Sequence, residues 1–177
     1  KPSSAASDVY KRQLVPIKPS VGGHILAKFG PKRPLSKGRM WAKTDQYIIK
    51  LAEGIIGDVE DPWDQVQLLL NYVDIFIKDD YTANPHSVYD ILENKLGDCT
   101  EHALLFNTLA RASGIPSREL TGIINYEDNK FALHAWNEVV VDGYWYPVDP
   151  TWNYIVPPLT HIKFDLLELV VIQTPLD

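Results

Sequence analysis

At Gly114-Ile115-Pro116 the hydrophobic period of the chain changes from about 3.6 residues to 2, and this change constrains the fold more than any other feature. Upstream, apolar residues recur every three or four positions. Trp41, Ile48, Leu51, Ala52 and Ile55 predict a helix over 39–56. Asp61-Pro62 then supplies an N-cap followed by proline at the first helical position, with Asp64 in the first turn, where its charge suits the helix dipole. Val66, Leu69, Leu70, Val73 and Ile77 form the buried face of that second helix. Ser87, with Asp90 three residues on, opens a shorter helix that ends over 94–97. The segment 98–113, apolar at Ala103, Leu104, Phe106, Leu109 and Ala110, is the central helix, stopped by Gly114 and Pro116.

Downstream, alternation predicts strands over 119–124, 131–141 and 144–148, joined by the turn-formers Asp128-Asn129 and Asp142-Gly143. A further strand over 167–172 would close the sheet. Helices first and an antiparallel sheet second make an α+β domain with its helices on one face of the sheet. Residues 1–37 are polar and punctuated by Pro16, Pro19, Pro31 and Pro34, so they read as an arm or linker with a short strand over 24–29. The domain proper then runs over 38–177, one domain for a chain of 177 residues.

Composition removes several function classes. Seventeen Lys and Arg against 23 Asp and Glu leave a formal charge of −6, the wrong sign for a nucleic-acid partner. The longest apolar run, 162–172, is interrupted by Lys163, Asp165 and Glu168, so no segment suits membrane insertion. The one cysteine, Cys99, excludes an intrachain disulfide.

Cys99 falls in the first turn of the central helix, where unpaired N–H groups and the positive dipole end favour a thiolate over a thiol. Taken alone, a lone cysteine is more often a small buried apolar residue. His134 and Asp149 change that balance. A two-residue turn at Asp142-Gly143 makes opposing residue numbers sum to 285, which pairs Trp136 with Asp149 and makes His134 the diagonal neighbour of Asp149 on the same face. An imidazole within reach of a carboxylate and a helix-start thiol is the arrangement of nucleophilic catalysis: Cys99 attacks, His134 moves the proton, Asp149 orients the ring. Backbone N–H groups around Cys99 would hold the oxyanion. A zinc site from Cys99, His102 and His134 is disfavoured, because a structural site takes about four ligands and no second cysteine exists. Arg111 and Arg118 suit the solvated end of the central helix better than an acidic substrate group.

Four ordered blocks, Gly97-Asp98-Cys99-Thr100-Glu101-His102-Ala103, the run from Leu109 to Arg118, His134-Ala135-Trp136-Asn137-Glu138, and Trp145-Tyr146-Pro147-Val148-Asp149-Pro150-Thr151, resemble the transglutaminase-like superfamily. The resemblance covers 41–152. It implies a papain-like core with nucleophile Cys99, base Cys99-facing His134 and orienting Asp149, acting on a protein or peptide substrate as a cysteine protease, amidase or acyltransferase, without a cofactor. No loop shows the alternating oxygen ligands of a calcium site. Tyr81, in the loop where animal relatives carry an indole, and Trp136 are the candidate substrate-binding residues. The family's frequent export in bacteria implies a periplasmic or extracellular location. The rival expectation is an interaction domain that keeps the fold without the chemistry; three intact site residues argue against it.

Overall fold

The computed structural model describes residues 45–83, 85, 87–127, 130–155 and 160–163. The expected strands over 24–29 and 167–172 and the Asp128-Asn129 turn lie outside these residues. Among the described residues, four helices precede the main sheet: α1 (Gln46–Ile56), α2 (Pro62–Phe76), α3 (Val88–Asn94) and α4 (Cys99–Ala112). Two-residue strands β1 (Lys78–Asp79) and β2 (Leu96–Gly97) pair in parallel between them. Strands β3 (Ser117–Glu127), β4 (Lys130–Val141), β5 (Tyr144–Asp149), β6 (Tyr154–Ile155) and β7 (His161–Lys163) form one antiparallel sheet in the order β6-β5-β4-β3-β7.

Local chemistry explains the helix starts. The Asp45 carboxylate accepts from the N–H groups of Tyr47 and Ile48, so the described helix begins at Gln46 rather than in the upstream stretch that the periodicity includes. Asp61 caps α2 in the same way, with Pro62 at the first position, and the Ser87 hydroxyl accepts from Asp90 N–H at the start of α3.

The core lies between α4 and the sheet. Leu105, Phe106, Leu109 and Ala110 of α4 pack with Val139 and Val141 of β4 and Val148 of β5, while Ile48 and Ala52 of α1, Val66, Leu69, Leu70 and Val73 of α2 and Ile91 of α3 complete it. Asn137, fully buried, ties strand to helix: its Nδ2 donates to the Ala103 carbonyl at 3.1 Å. This bond fixes the height of β4 along α4, and with it the height of His134 relative to the helix start.

Asp142 and Gly143 both have positive φ, 52° and 79°, the conformation of a two-residue hairpin turn that matches strand twist. The register follows as expected, from Val141 opposite Tyr144 to Asn137 opposite Val148. Strand β3 runs past the expected 119–124 because its pairing with β4 continues from Ser117 to Glu127. Its outer edge takes β7, with Gly122 opposite Lys163 on one side and His134 on the other. A side chain at Gly122 would run into the Ile162 carbonyl and come within 2.5 Å of the Trp136 ring. Because the obstacle is backbone, Gly122→Ala is expected to destabilise the domain by about 3 kcal/mol, a fall in Tm of roughly 10 °C, read by thermal unfolding. An unchanged Tm would mean that β7 does not depend on this close approach.

Candidate active site

Cys99 is the first residue of α4 and is half-buried. Asp98 caps the helix: its carboxylate accepts from Thr100 N–H at 2.8 Å and from Glu101 N–H, while the Glu101 carboxylate reaches back to Asp98 N–H at 2.8 Å. His102 N–H donates to the Asp98 carbonyl. Three of the four orphan donors of the helix start are therefore occupied, and the fourth belongs to Cys99 itself.

His134 is buried on β4, and its Nε2 donates to Asp149 Oδ2 at 2.8 Å. Cys99 is the other side-chain partner whose interaction raises the basicity of this imidazole. Burial works to lower the basicity of His134, but its hydrogen bond to the Asp149 carboxylate, that carboxylate's charge and the interaction with Cys99 outweigh it and raise the imidazole to about 9. Asp149 is wholly inaccessible. Burial alone would push its carboxyl up; hydrogen bonds from His134 and His161, the His134 charge and Thr151 N–H outweigh it and hold the group at about 2. His134 and Asp149 are thus an imidazolium and a carboxylate near neutral pH.

The rings around His134 form a stack. Trp152, 42% exposed, lies over it with centroids 4.6 Å apart and planes 16° from parallel. Trp136 lies on the other strand positions shared with His134, at 6.1 Å, and is 2% exposed. Trp136 therefore supports the imidazole from within instead of offering a surface to substrate, and the exposed aromatic beside the site is Trp152. Tyr81 is 84% exposed in the loop after β1, which Asp80 N–H anchors to the Gly97 carbonyl just before α4.

One member escaped the sequence reading. His161, on β7, donates from Nε2 to the same Asp149 Oδ2 at 2.8 Å. Three residues are too few for an alternating pattern to mark a strand there; the available signal is Gly122, since a glycine inside a strand pattern points to close approach of another backbone.

His134, Asp149 and His161 bring their donor atoms within 4.8 Å of one another, a set that a divalent transition ion accepts. In the hydrogen-bonded arrangement both Nε2 protons already go to Asp149, which accounts for the convergence. His102 stands apart from this group, its Nδ1 donating to the Asp98 carbonyl at 2.7 Å. Arg111 holds the Ser117 carbonyl, and Arg118 pairs with Glu138 and covers the Trp145 ring at 4.3 Å.

Comparison with known proteins places this geometry. The chain is 31% identical over 85 residues to mouse (Mus musculus) kyphoscoliosis peptidase, an overlap of 44% of this chain and 13% of that protein. A proposed cysteine protease from Cytophaga hutchinsonii superposes with a TM-score of 0.58 at 25% identity, covering 66% of this chain and 40% of that one. The periplasmic domain of TgpA from Pseudomonas aeruginosa gives 0.51 at 26%, covering 61% and 43%. The chain thus spans well under half the length of each of these relatives. Residues 49–150, more than half of the chain, match the model of the transglutaminase-like superfamily, and the chain belongs to that superfamily.

Proposed function

We propose that the chain is a cysteine enzyme that cleaves or transfers amide acyl groups of protein or peptide substrates through a thioester on Cys99. The observation that carries this reading is the buried 2.8 Å hydrogen bond between His134 and Asp149, with Cys99 bonded to the same imidazole. The thiol proton passes to the free ring nitrogen of His134, and the thiolate attacks the amide carbonyl carbon. The oxyanion takes the N–H of Cys99, the donor at the helix start that the Asp98 cap leaves unoccupied. As the C–N bond breaks, His134 returns the proton to the leaving amine, and the acyl group stays on sulfur. Water, deprotonated by His134, then releases the acid and restores the thiol. A primary amine in place of water would give transfer instead, and hydrolysis is favoured because transfer needs a second groove that excludes water. The peptidase and protease relatives support amide cleavage, and the periplasmic relative supports an exported location in a bacterium.

The test is intact-mass detection of a Cys99 acyl adduct during incubation with a panel of peptide amides, with and without a small primary amine. The adduct should form, decay to acid faster than to the amine product, and disappear in Cys99→Ser. Turnover that survives Cys99→Ser, or the absence of any adduct together with a thiol that alkylates like a free one, overturns the reading.

A further inference from the structure

Asp149 Oδ2 accepts two hydrogen bonds of equal length, 2.8 Å from His134 and 2.8 Å from His161, while Thr151 N–H takes Oδ1 at 2.9 Å. We propose that His161 is a fourth member of the array, a positioning residue whose Nε2–H moderates the hold of Asp149 on the His134 imidazolium and so lets His134 release its proton to the leaving amine. The inference rests on the reading of Cys99, His134 and Asp149 as the reacting groups.

The physical problem is that a buried carboxylate serves a general acid too well. In a low-dielectric site an unshared negative charge grips the imidazolium proton, whereas a general acid works best when its affinity for the proton lies near the operating pH. A neutral donor on the same oxygen disperses that charge, because a hydrogen bond to the ionised form of a carboxylate lowers its attraction for protons. His161 is built to be such a donor. Its side chain is 5% exposed, its ring stands 72° from that of His134 at 5.5 Å, and Trp136 meets it edge-on at 5.2 Å. The Thr160 hydroxyl lies 3.1 Å from its Nδ1 and can donate there, which leaves the ring proton on Nε2, aimed at Asp149. The titratable groups facing His134 are Cys99 from α4, Asp149 from β5 and His161 from β7. The approach of β7 that delivers the ring depends on the missing side chain of Gly122.

The test is a pH titration of the full chain with ¹⁵N-labelled histidine rings, comparing wild type, His161→Phe and His161→Gln by NMR. In His161→Phe the His134 imidazolium should lose its proton about half to one pH unit higher than in wild type, since one donor to the carboxylate is gone. His161→Gln, whose amide N–H can replace Nε2–H, should titrate with wild type. A His134 midpoint that is unmoved or lowered in His161→Phe, or moved equally by both substitutions, overturns the proposal. If His161→Phe does not fold, the wild-type spectrum decides: a neutral His161 with its proton on Nε2 supports the role, and a doubly protonated or Nδ1–H ring overturns it. Iodoacetamide alkylation of Cys99 in the same wild-type sample separates the two readings. Free-thiol reactivity there counts against the acyl-transfer function, and an activated thiol with unmoved His134 counts against His161 alone.

Discussion

Replacing His134 with alanine is expected to slow alkylation of Cys99 at pH 6 by about tenfold and to change the shape of its pH dependence. Ionisation alone would predict more, because a thiol with no proton acceptor is only about 0.3% thiolate at that pH, a limit that the proposed proton transfer to His134 removes. The paired thiolate is, however, the weaker nucleophile, since nucleophilicity falls with basicity at a slope of about 0.4–0.5, and this trims a gain of some hundreds to about ten. The shape discriminates better than the size. Wild-type rates should be nearly flat between pH 6 and 8, whereas His134→Ala should climb about tenfold per unit toward the free-thiol range near pH 8.5. Amide turnover should fall about 10³-fold or more, because the same ring is base and acid in turn. Parallel pH profiles for the two proteins would remove His134 from the chemistry.

Asp149→Asn tests the other half of the pair, in activity and in stability. An amide in place of the carboxylate offers no charge to the imidazolium and can present an N–H to Nε2, favouring the wrong tautomer, so acyl transfer is expected to drop roughly 10³–10⁴-fold. The stability signature has a definite sign. His134 is raised to about 9, so its contribution is fully present below its unfolded value near 6.5 and disappears as pH rises through about 9. Asp149 is held at about 2, so its contribution is present above its unfolded value near 3.9 and disappears as pH falls through about 2. Both describe one interaction, worth about 2–3 kcal/mol between pH 4 and 6.5 when counted once. Denaturant unfolding should therefore show the variant closest to wild type at alkaline pH and furthest below it near pH 5. A constant difference across that range would mean that the pair does not couple to folding.

The parts of this site that were legible in the sequence are those set by local rules. Asp142-Gly143 demands a two-residue turn, the turn fixes the register of β4 against β5, and the register brings His134 to Asp149; the structure has that turn, that register and that hydrogen bond. Asp98 and Glu101 likewise announce the start of α4 and with it the position of Cys99. What the sequence hid was set by tertiary contact. Strand β7 has three residues, too few for a period, and is a strand only because the edge of β3 is there to pair with it. His161 therefore looked like a loop residue. Trp136 shows the same limit from the other side. Alternation puts it on the His134 face, but not which side of that face is covered, and its burial against His161 decides its role.

The order in which the array is assembled has a consequence for the chain during its own synthesis. Cys99 leaves the ribosome first, and α4, which carries it, is stabilised by a cap local in sequence. His134 follows 35 positions later on a central strand, Asp149 on the next strand, and His161 last, on the edge strand. The β4–β5 hairpin is local, but it meets the helix start only through packing between residues some 35 positions apart, and β7 joins through pairing about 40 positions apart, the kind of contact formed late in folding. Under the proposed chemistry, a half-made or partly unfolded chain would carry an ordinary cysteine on a capped helix, and the thiol would become reactive only once the sheet had closed around it.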